Sequence, residues 1–473
     1  MKRRDVIKLL SLAGLAAICP VGMRSVSAAE PKYKGPYWIM LDAGGGWDPT
    51  ILCDPKGGKL KDPANPDDGF TADSVNHFEK AIDVGPFKVA PVGWSQDFGG
   101  TQYELYSSKR FFEDHGARTL VLNGVDTATN SHEVGNRVTW SGRTNEGQPA
   151  LAALLAAYGA QDKDLPLAFM SSGGYDNTAG VVALARAESD LRVVQRVAYP
   201  NIIEVDKLGG DPNDPPAQFF TNETQARILA AQAERLKAMQ KAETLPNLRF
   251  SMGSLLLARQ GTGSLGSLAD ELANVEEVTV PTAFPDEFGG LDDNAFGGDF
   301  RNLLGQVQLA LHSFHAGVAV AANLAIGGFD THSNHDNDQT RQMMKLLKAY
   351  DYIWKLAKTL GIDNQLYVVV GSDFGRTPYY NDGNGKDHWN VTSMLLAGPK
   401  IEGNRVIGAT DDQFKPMRVD PKNVSTVLPD SDAKGVRIEP VHIHRELRRV
   451  AGLANTELDK AWGLPGDPLL LLG

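Results

Sequence analysis

The chain has 473 residues, of which 42% are hydrophobic and 22% charged, and its formal net charge is −11. This composition is typical of a globular protein, and the length is sufficient for one large α/β domain or two smaller ones with a sizeable core. Because the net charge is strongly negative, we expect neither nonspecific binding to nucleic acid nor stable anchoring on an anionic membrane.

The first 28 residues have the pattern of an export signal. A basic start that includes Arg3 and Arg4 precedes an apolar stretch of about ten residues, which is too short to span a bilayer. The arginine pair is typical of a twin-arginine signal, and a general secretory signal is the alternative. Small residues before Ala29 suit cleavage there, so we expect a mature protein that is periplasmic or secreted.

Hydrophobic patterns then predict strands that alternate with helices along the mature chain. Strands are predicted at 36–42, 118–126, 165–172, 318–326, 365–372 and 391–398, and helices at 149–160, 301–316 and 341–361. The stretch from about 200 to 300 holds two further helical patterns and is interpreted as a helical insertion within a single domain, 29–473. Alternating strands and helices predict an α/β fold with a doubly wound, mostly parallel sheet.

Polar side chains gather after these strands, where a parallel sheet places its binding sites. They are Asp42, Asp48 and Thr50, then Asn130, Ser131 and His132, then Asp330, His332 and His335, and finally Asp373, Arg376, Asp387 and His388. Carboxylates together with imidazoles suit zinc, manganese or iron, whereas oxygen ligands alone would indicate magnesium or calcium. Their recurrence in successive loops predicts a metal site, and ordinary polar turns with structural histidines are the alternative.

Four motifs in this region resemble those of a known family. They are GGFDTHSN at 327–334, VVVGSDFGRTP at 368–378, GKDHWN at 385–390 and VIGATDD at 406–412. Their order resembles that of the DUF1501 family of exported bacterial proteins, and the resemblance extends over roughly residues 36 to 450. That family is similar to the alkaline phosphatase and sulfatase superfamily. The resemblance therefore implies an alkaline-phosphatase-like fold with metal ions at the strand ends.

The resemblance also implies roles for individual residues. The implied metal ligands are Asp42, Asp48, Asp330, His332, His335, Asp373 and His388, with the choice between Asp42 and Asp48 left open. Phe374 stands where the superfamily has a histidine beside Asp373, which puts a second ion in doubt. We therefore expect one or two divalent ions, zinc or manganese.

Three further residues are candidates for catalysis. Thr50 is the nearest hydroxyl that could act as a nucleophile, and His132 could donate a proton to the leaving group or bind the substrate. Arg376 could hold anionic oxygens with its planar guanidinium, or could instead form a buried salt bridge with Asp373 or another acid.

Two functions are consistent with these residues. The first is an exported metal-dependent hydrolase that acts on a small anionic phosphate or sulfate ester. The second is a non-catalytic secreted binding or assembly protein that keeps the fold and has an unknown secreted partner. Phe374 and the uncertain nucleophile favour the second. No dinucleotide fingerprint, CxxC pair or haem motif in the sequence supports a redox cofactor.

Overall fold

The computed structural model describes residues 33–56, 76–187 except 79, 162, 164 and 166, 194–196, 221–245, several residues between 248 and 272, and 275–472. The predicted export signal, residues 1–28, lies outside the described residues. None of the helices in the described part of the chain is both long and apolar enough to cross a membrane.

The strands follow one another along the whole described chain. They are β1 (Tyr37–Ala43), β2 (Ile82–Val84), β3 (Phe87–Val89), β4 (Gly93–Phe98), β5 (Thr101–Ser107), β6 (Leu120–Asp126), β7 (Phe169–Ser171), β8 (Leu184–Ala187), β9 (Val194–Arg196), β10 (Ala321–Ile326), β11 (Leu366–Gly371), β12 (Gly375–Arg376), β13 (His388–Trp389), β14 (Val391–Ala397), β15 (Arg405–Ile407), β16 (Arg418–Asp420), β17 (Asn423–Leu428) and β18 (Val436–Arg437).

The α-helices lie between these strands. They are α1 (Ser108–His115), α2 (His132–Ser141), α3 (Leu151–Gly159), α4 (Asn222–Ala242), α5 (Val280–Ala283), α6 (Pro285–Phe288), α7 (Gly298–His315), α8 (His335–Thr359), α9 (Pro440–Val450) and α10 (Glu457–Ala461).

A nine-stranded sheet forms the centre of the molecule, in the order β15-β6-β14-β11-β1-β10-β7-β8-β9. The five strands from β11 to β8 in this order are parallel neighbours, as are β15 and β6, whereas β14 and β9 run antiparallel to their neighbours. Strand β1 is buried along its whole length and apolar except for Asp42, as expected for a central strand covered on both faces. The predicted mostly parallel sheet with flanking helices is confirmed.

Helices α3 and α7 pack on the sheet, and α8 packs against α7, α1 and the β4–β5 hairpin. Helix α8 begins at His335, six positions before the predicted start at residue 341. The sequence prediction followed the apolar pattern alone. The first turn of α8 instead carries Asp336 and Asp338, whose negative charges stabilise a helix amino terminus.

The region predicted as a helical insertion contains α4, which matches the first of its two helical patterns. Most of the second pattern, 252–260, lies outside the described residues. The organisation as a single domain with an insertion stays a prediction. The hydrophobic pattern predicts no strands between 82 and 107, where the structure has two hairpins. Strand β4 is exposed or half-buried throughout, so its residues lack the apolar run that marks a central strand.

The antiparallel strand β14 has a direct effect on the site. Its first residue, Val391, pairs with Asp126 at the last position of β6. The amino end of β14 therefore lies at the same edge of the sheet as the carboxyl ends of its neighbours. Residues 388–390, which precede β14, are brought to that edge.

Substituting the second glycine after β1 tests how tightly the strand-end loops pack. Gly45 has φ +120°, and a Cβ there would lie 2.5 Å from the Asp330 amide nitrogen. Gly99, in the β4–β5 turn, has φ +65° with open space around it. We expect Gly99→Ala to lower the free energy of unfolding by about 1 kcal/mol through backbone strain alone. Gly45→Ala should cost about 1–3 kcal/mol more because of the collision. Urea denaturation measures both, and equal losses would show that the glycine loop moves aside freely.

Candidate metal centre

Three histidines and one aspartate converge at the edge of the sheet where these loops meet. His332 Nε2 lies 3.0 Å from Asp330 Oδ1 and 3.1 Å from His388 Nε2, and His388 Nε2 lies 3.2 Å from the same Asp330 oxygen. His132 Nε2 is slightly farther away, 3.6 Å from Asp330 Oδ2. The ligand atoms of His132, Asp330 and His388 all lie within 4.8 Å of one another. We call these four residues the outer group.

Each imidazole of the outer group is held at its other nitrogen by an acceptor. His132 Nδ1 is 2.6 Å from Asp373 Oδ2, His332 Nδ1 is 2.7 Å from Asp387 Oδ1, and His388 Nδ1 is 2.8 Å from the Asn130 carbonyl oxygen. A carbonyl or an ionised carboxylate only accepts hydrogen bonds, so the proton of each neutral ring sits on Nδ1. The Nε2 lone pairs are then free to face Asp330. Histidines that ligate metals in proteins have this arrangement.

The contact between His332 and His388 supports a cation at this point. With both protons on Nδ1, two Nε2 lone pairs face each other at 3.1 Å beside a carboxylate oxygen. Only a cation, a proton on one ring or a metal ion, relieves that contact. Two nitrogens bound to one tetrahedral zinc ion lie about 3.3–3.4 Å apart, so the observed spacing fits a metal. Imidazole nitrogens with one carboxylate also form the donor set expected for zinc or manganese.

Asp330 is about half exposed, with 48% of its side chain accessible. Partial burial would raise the pKa of its carboxyl, but the hydrogen bond and the positive charge of Arg376 oppose this, and the pKa is lowered to about 2. The carboxylate is therefore ionised and accessible at neutral pH, as a metal ligand must be.

Arg376 is fully buried beside Asp330 and binds mainly backbone. Its guanidinium donates to the carbonyl oxygens of Gly45, Gly46 and Lys386, and Nη2 also donates to Asp330 Oδ1 at 2.7 Å. Four of its five N–H groups are thereby used. The salt bridge foreseen from the sequence is present, with Asp330 as the partner. The guanidinium fork has little capacity left to hold a substrate anion.

Three of the predicted residues form a separate buried cluster together with Lys386, which was not predicted. Asp48, Thr50, His335 and Lys386 have no exposed surface, and we call them the inner group. Asp48 Oδ1 accepts from the Thr50 amide at 2.8 Å and from its hydroxyl at 2.7 Å. Asp48 Oδ2 accepts from His335 Nε2 at 3.0 Å and from Lys386 Nζ at 2.7 Å. Within the described residues, no hydrogen bond or ion pair joins these side chains to the outer group.

The electrostatics of the inner group match this geometry. Burial alone would raise the pKa of Asp48, but the Lys386 charge and the His335 hydrogen bond outweigh burial and hold that pKa well below its usual range. Burial lowers the pKa of His335, which keeps its ring neutral. The Thr50 hydroxyl is occupied as well, because it donates to Asp48 and accepts from Asn76 and Lys386.

Asp373 and Asp42 are buried and are not members of the outer group. Asp373 Oδ1 accepts from the amides of Gly45 and Gly46, while its Oδ2 orients His132. Asp42 Oδ1 accepts from Trp140 Nε1 at 2.9 Å. Burial and the nearby charge of Asp373 raise the pKa of Asp42 to about 7. Direct coordination by either carboxylate stays a prediction.

Some contributors could not be assigned by sequence reasoning alone. Asp387 adjoins His388 in the GKDHWN motif, so the sequence indicates that it lies near the site. The sequence does not indicate that its carboxylate accepts a hydrogen bond from His332. The Asn130 contribution comes from a backbone carbonyl, for which any residue type would serve. Lys386 carries no sign in the sequence that its ammonium is buried.

Comparison with protein families identifies the chain. The family described as "Protein of unknown function (DUF1501)" matches residues 115–429, about two thirds of the chain. The protein therefore belongs to this family, which confirms the membership predicted from its motifs. A comparison with curated proteins finds no match.

Solved structures show distant likenesses. Ps i-CgsB, crystallised with k-i-k-neocarrahexaose, has a TM-score of 0.38 at 10% identity, covering 93% of this chain and 75% of that one. The alkaline phosphatase from the Antarctic bacterium TAB5 has a TM-score of 0.30 at 9% identity, with 79% and 94% covered. A Bacteroides thetaiotaomicron protein assigned as a sulfatase has a TM-score of 0.30 at 10% identity, with 92% and 76% covered.

Removing the outer support of one imidazole should weaken metal binding. An amide at position 387 is a weaker acceptor and no longer fixes the proton on His332 Nδ1. We expect Asp387→Asn to raise the dissociation constant for zinc about 10–100-fold, measured by titration against a competing chelator. Asp382→Asn, in the same loop and also exposed, makes the same charge change at a residue that has no hydrogen bond to His332 among the described contacts. Equal affinities for the two variants would contradict the assigned role of Asp387.

The raised pKa of Asp42 predicts a pH-dependent stability difference. Because this pKa rises from 3.8 to about 7 on folding, ionisation favours the unfolded chain. The contribution of Asp42 is fully present below about pH 4 and is lost as the pH rises through about 7. The side chain of Asp42→Asn stays neutral at every pH, so the variant does not lose this contribution. Between pH 4 and 8 the free energy of unfolding of the wild type should therefore fall relative to that of Asp42→Asn by up to about 4 kcal/mol. Chemical denaturation at both pH values measures this. A constant difference would show that Asp42 is ionised throughout.

Proposed function

We propose that this protein is an exported, metal-dependent hydrolase of phosphate or sulfate esters. The observation that carries the proposal is the outer group, in which three imidazoles with fixed Nδ1 protons face one ionised, accessible carboxylate. The predicted export signal and the four motifs of the sequence support the location and the reaction class. The substrate would be a small anionic ester.

Each residue of the outer group would have a defined task. Asp330, His332 and His388, whose donor atoms lie within 3.2 Å of one another, would hold one zinc or manganese ion. A bound divalent ion supplies Lewis acidity toward an ester oxygen and makes water a better nucleophile at neutral pH. His132 stands beside them with 41% of its side chain exposed. With Asp373 behind its Nδ1, it would serve as a fourth ligand, or its Nε2 would take a proton from the attacking water and pass it to the leaving group.

Water is the better candidate for the nucleophile than Thr50. The Thr50 hydroxyl is fully buried and donates to Asp48, so it would have to break that bond and reach the surface. His332 and Asp330 both have nearly half of their side chains accessible, so solvent reaches the outer group directly. Asp330 remains ionised because Arg376 is fixed against it.

Specific observations also favour the second candidate function, a non-catalytic secreted binding protein. Arg376 is occupied by backbone carbonyls and by Asp330, and Thr50 is buried. Two of the three residues considered for catalysis are therefore unavailable to a substrate as they stand. A protein that binds a metal ion and an unknown secreted partner, without turnover, would retain the same outer group.

Metal analysis of the mature protein purified from the periplasm tests the proposal. We expect about one equivalent of zinc or manganese in the wild type, lost in Asp330→Ala, His388→Ala. His442→Gln, a change at a buried histidine of α9, serves as the control and should retain the ion. Screening p-nitrophenyl phosphate and p-nitrophenyl sulfate then separates the two functions. Bound metal without turnover favours the binding protein, and no metal in the wild type would sink both the site and the reaction.

A further inference from the structure

The inner group contains atoms that commonly bind metal ions, but the ammonium of Lys386 occupies the position between them. Lys386 Nζ lies 2.7 Å from Asp48 Oδ2, 3.2 Å from Thr50 Oγ1 and 4.9 Å from the centre of the Tyr380 ring. His335 Nε2 lies 3.0 Å from the same Asp48 oxygen. A carboxylate, a hydroxyl and an imidazole thus surround one ammonium.

Charge balance requires a cation at this position. Asp48 is ionised and fully buried, and an isolated buried carboxylate is strongly unfavourable without a counter-charge. His335 does not supply that charge, because the Thr331 hydroxyl accepts from Gln339 Nε2 and directs its own proton to His335 Nδ1, which leaves the ring neutral. Among the described side chains in contact with Asp48, Lys386 is therefore the cation.

The hydrogen bonds of His335 show that the inner group is satisfied as it stands. Gln339 Nε2 donates to Thr331 Oγ1 at 3.0 Å, and that hydroxyl lies 2.7 Å from His335 Nδ1. The Thr331 hydroxyl then donates to Nδ1, and the Nε2 proton of His335 goes to Asp48. No two lone pairs face each other here, in contrast to His332 and His388 in the outer group.

We infer that Lys386 supplies from the chain itself the cation that Asp48, Thr50 and His335 would otherwise take from solution. The protein then has two cation positions, an inner one filled by an ammonium and an outer one open to a metal ion. That the outer position takes an ion rests on the proposed function, whereas the filled inner position does not. Lys386 directly precedes Asp387 and His388 in the chain, and among the described residues its ammonium is hydrogen-bonded to Asp48 and Thr50 of the inner group alone.

Replacing the ammonium should turn the inner group into a metal site. In Lys386→Met the apolar stem is kept and the charge is lost, leaving Asp48 without a counter-charge. His335 can move its proton to Nδ1, where Thr331 Oγ1 can accept it, and present Nε2 to an ion. We expect Lys386→Met to bind one more equivalent of zinc than the wild type, measured by elemental analysis after dialysis against zinc. Its melting temperature should rise on adding zinc by more than that of the wild type.

The matched control is Asp48→Asn, Lys386→Met, which removes both charges and should gain no ion. Equal zinc content in Lys386→Met and the wild type would overturn the inference. So would a Lys386→Met protein that stays unfolded with zinc while the double variant folds. In the wild type, a second equivalent of zinc that disappears in Asp48→Asn would also overturn it. The difference between variant and wild type tests the inference, and the absolute content of the wild type tests the proposed function.

Discussion

One buried guanidinium, that of Arg376, ties the strand-end loops of this protein together. It holds two carbonyls of the glycine turn after β1, the Lys386 carbonyl in the loop before β14, and Asp330 after β10. These segments are distant in sequence, and each would otherwise leave polar groups unpaired in the interior. Breaking a buried charged network of this kind costs several kcal/mol, so the contacts between these loops form cooperatively. Because Arg376 binds both Asp330 and the loop that carries His388, it fixes the relative positions of these two residues of the outer group.

The inner and outer groups contain similar residue types but differ in hydrogen bonding. Asp48 and His335 have every polar side-chain atom paired within the protein, and their cation is already present as Lys386. His332 and His388 instead turn unpaired lone pairs toward one carboxylate and toward solvent. Unmet hydrogen-bonding capacity, more than the kind of side chain, therefore separates a candidate metal site from a structural polar cluster.

Much of this arrangement could be predicted from the sequence, because buried strands are encoded as apolar runs and their carboxyl ends mark the site. The division into two groups could not. His332 and His335 share one loop, but Asn334 adopts a left-handed conformation with φ 48°, and His335 then begins α8 facing the interior. His388 reaches the site from the amino end of an antiparallel strand, an orientation that its hydrophobic pattern does not reveal. Asp48 follows a strand as predicted, yet its partner Lys386 is fixed only by tertiary packing.

The order of strands in the central sheet has a consequence for folding kinetics. His388 and the carbonyl that supports it, that of Asn130, are 258 positions apart in the chain, and they lie next to β14 and β6, which pair with each other in the sheet. Closing a loop of that length before any contact compensates for it is entropically costly, so the outer group forms late. An ion there cannot act as a folding nucleus, unlike the zinc of a small finger domain. It would leave the rate of folding unchanged and slow unfolding.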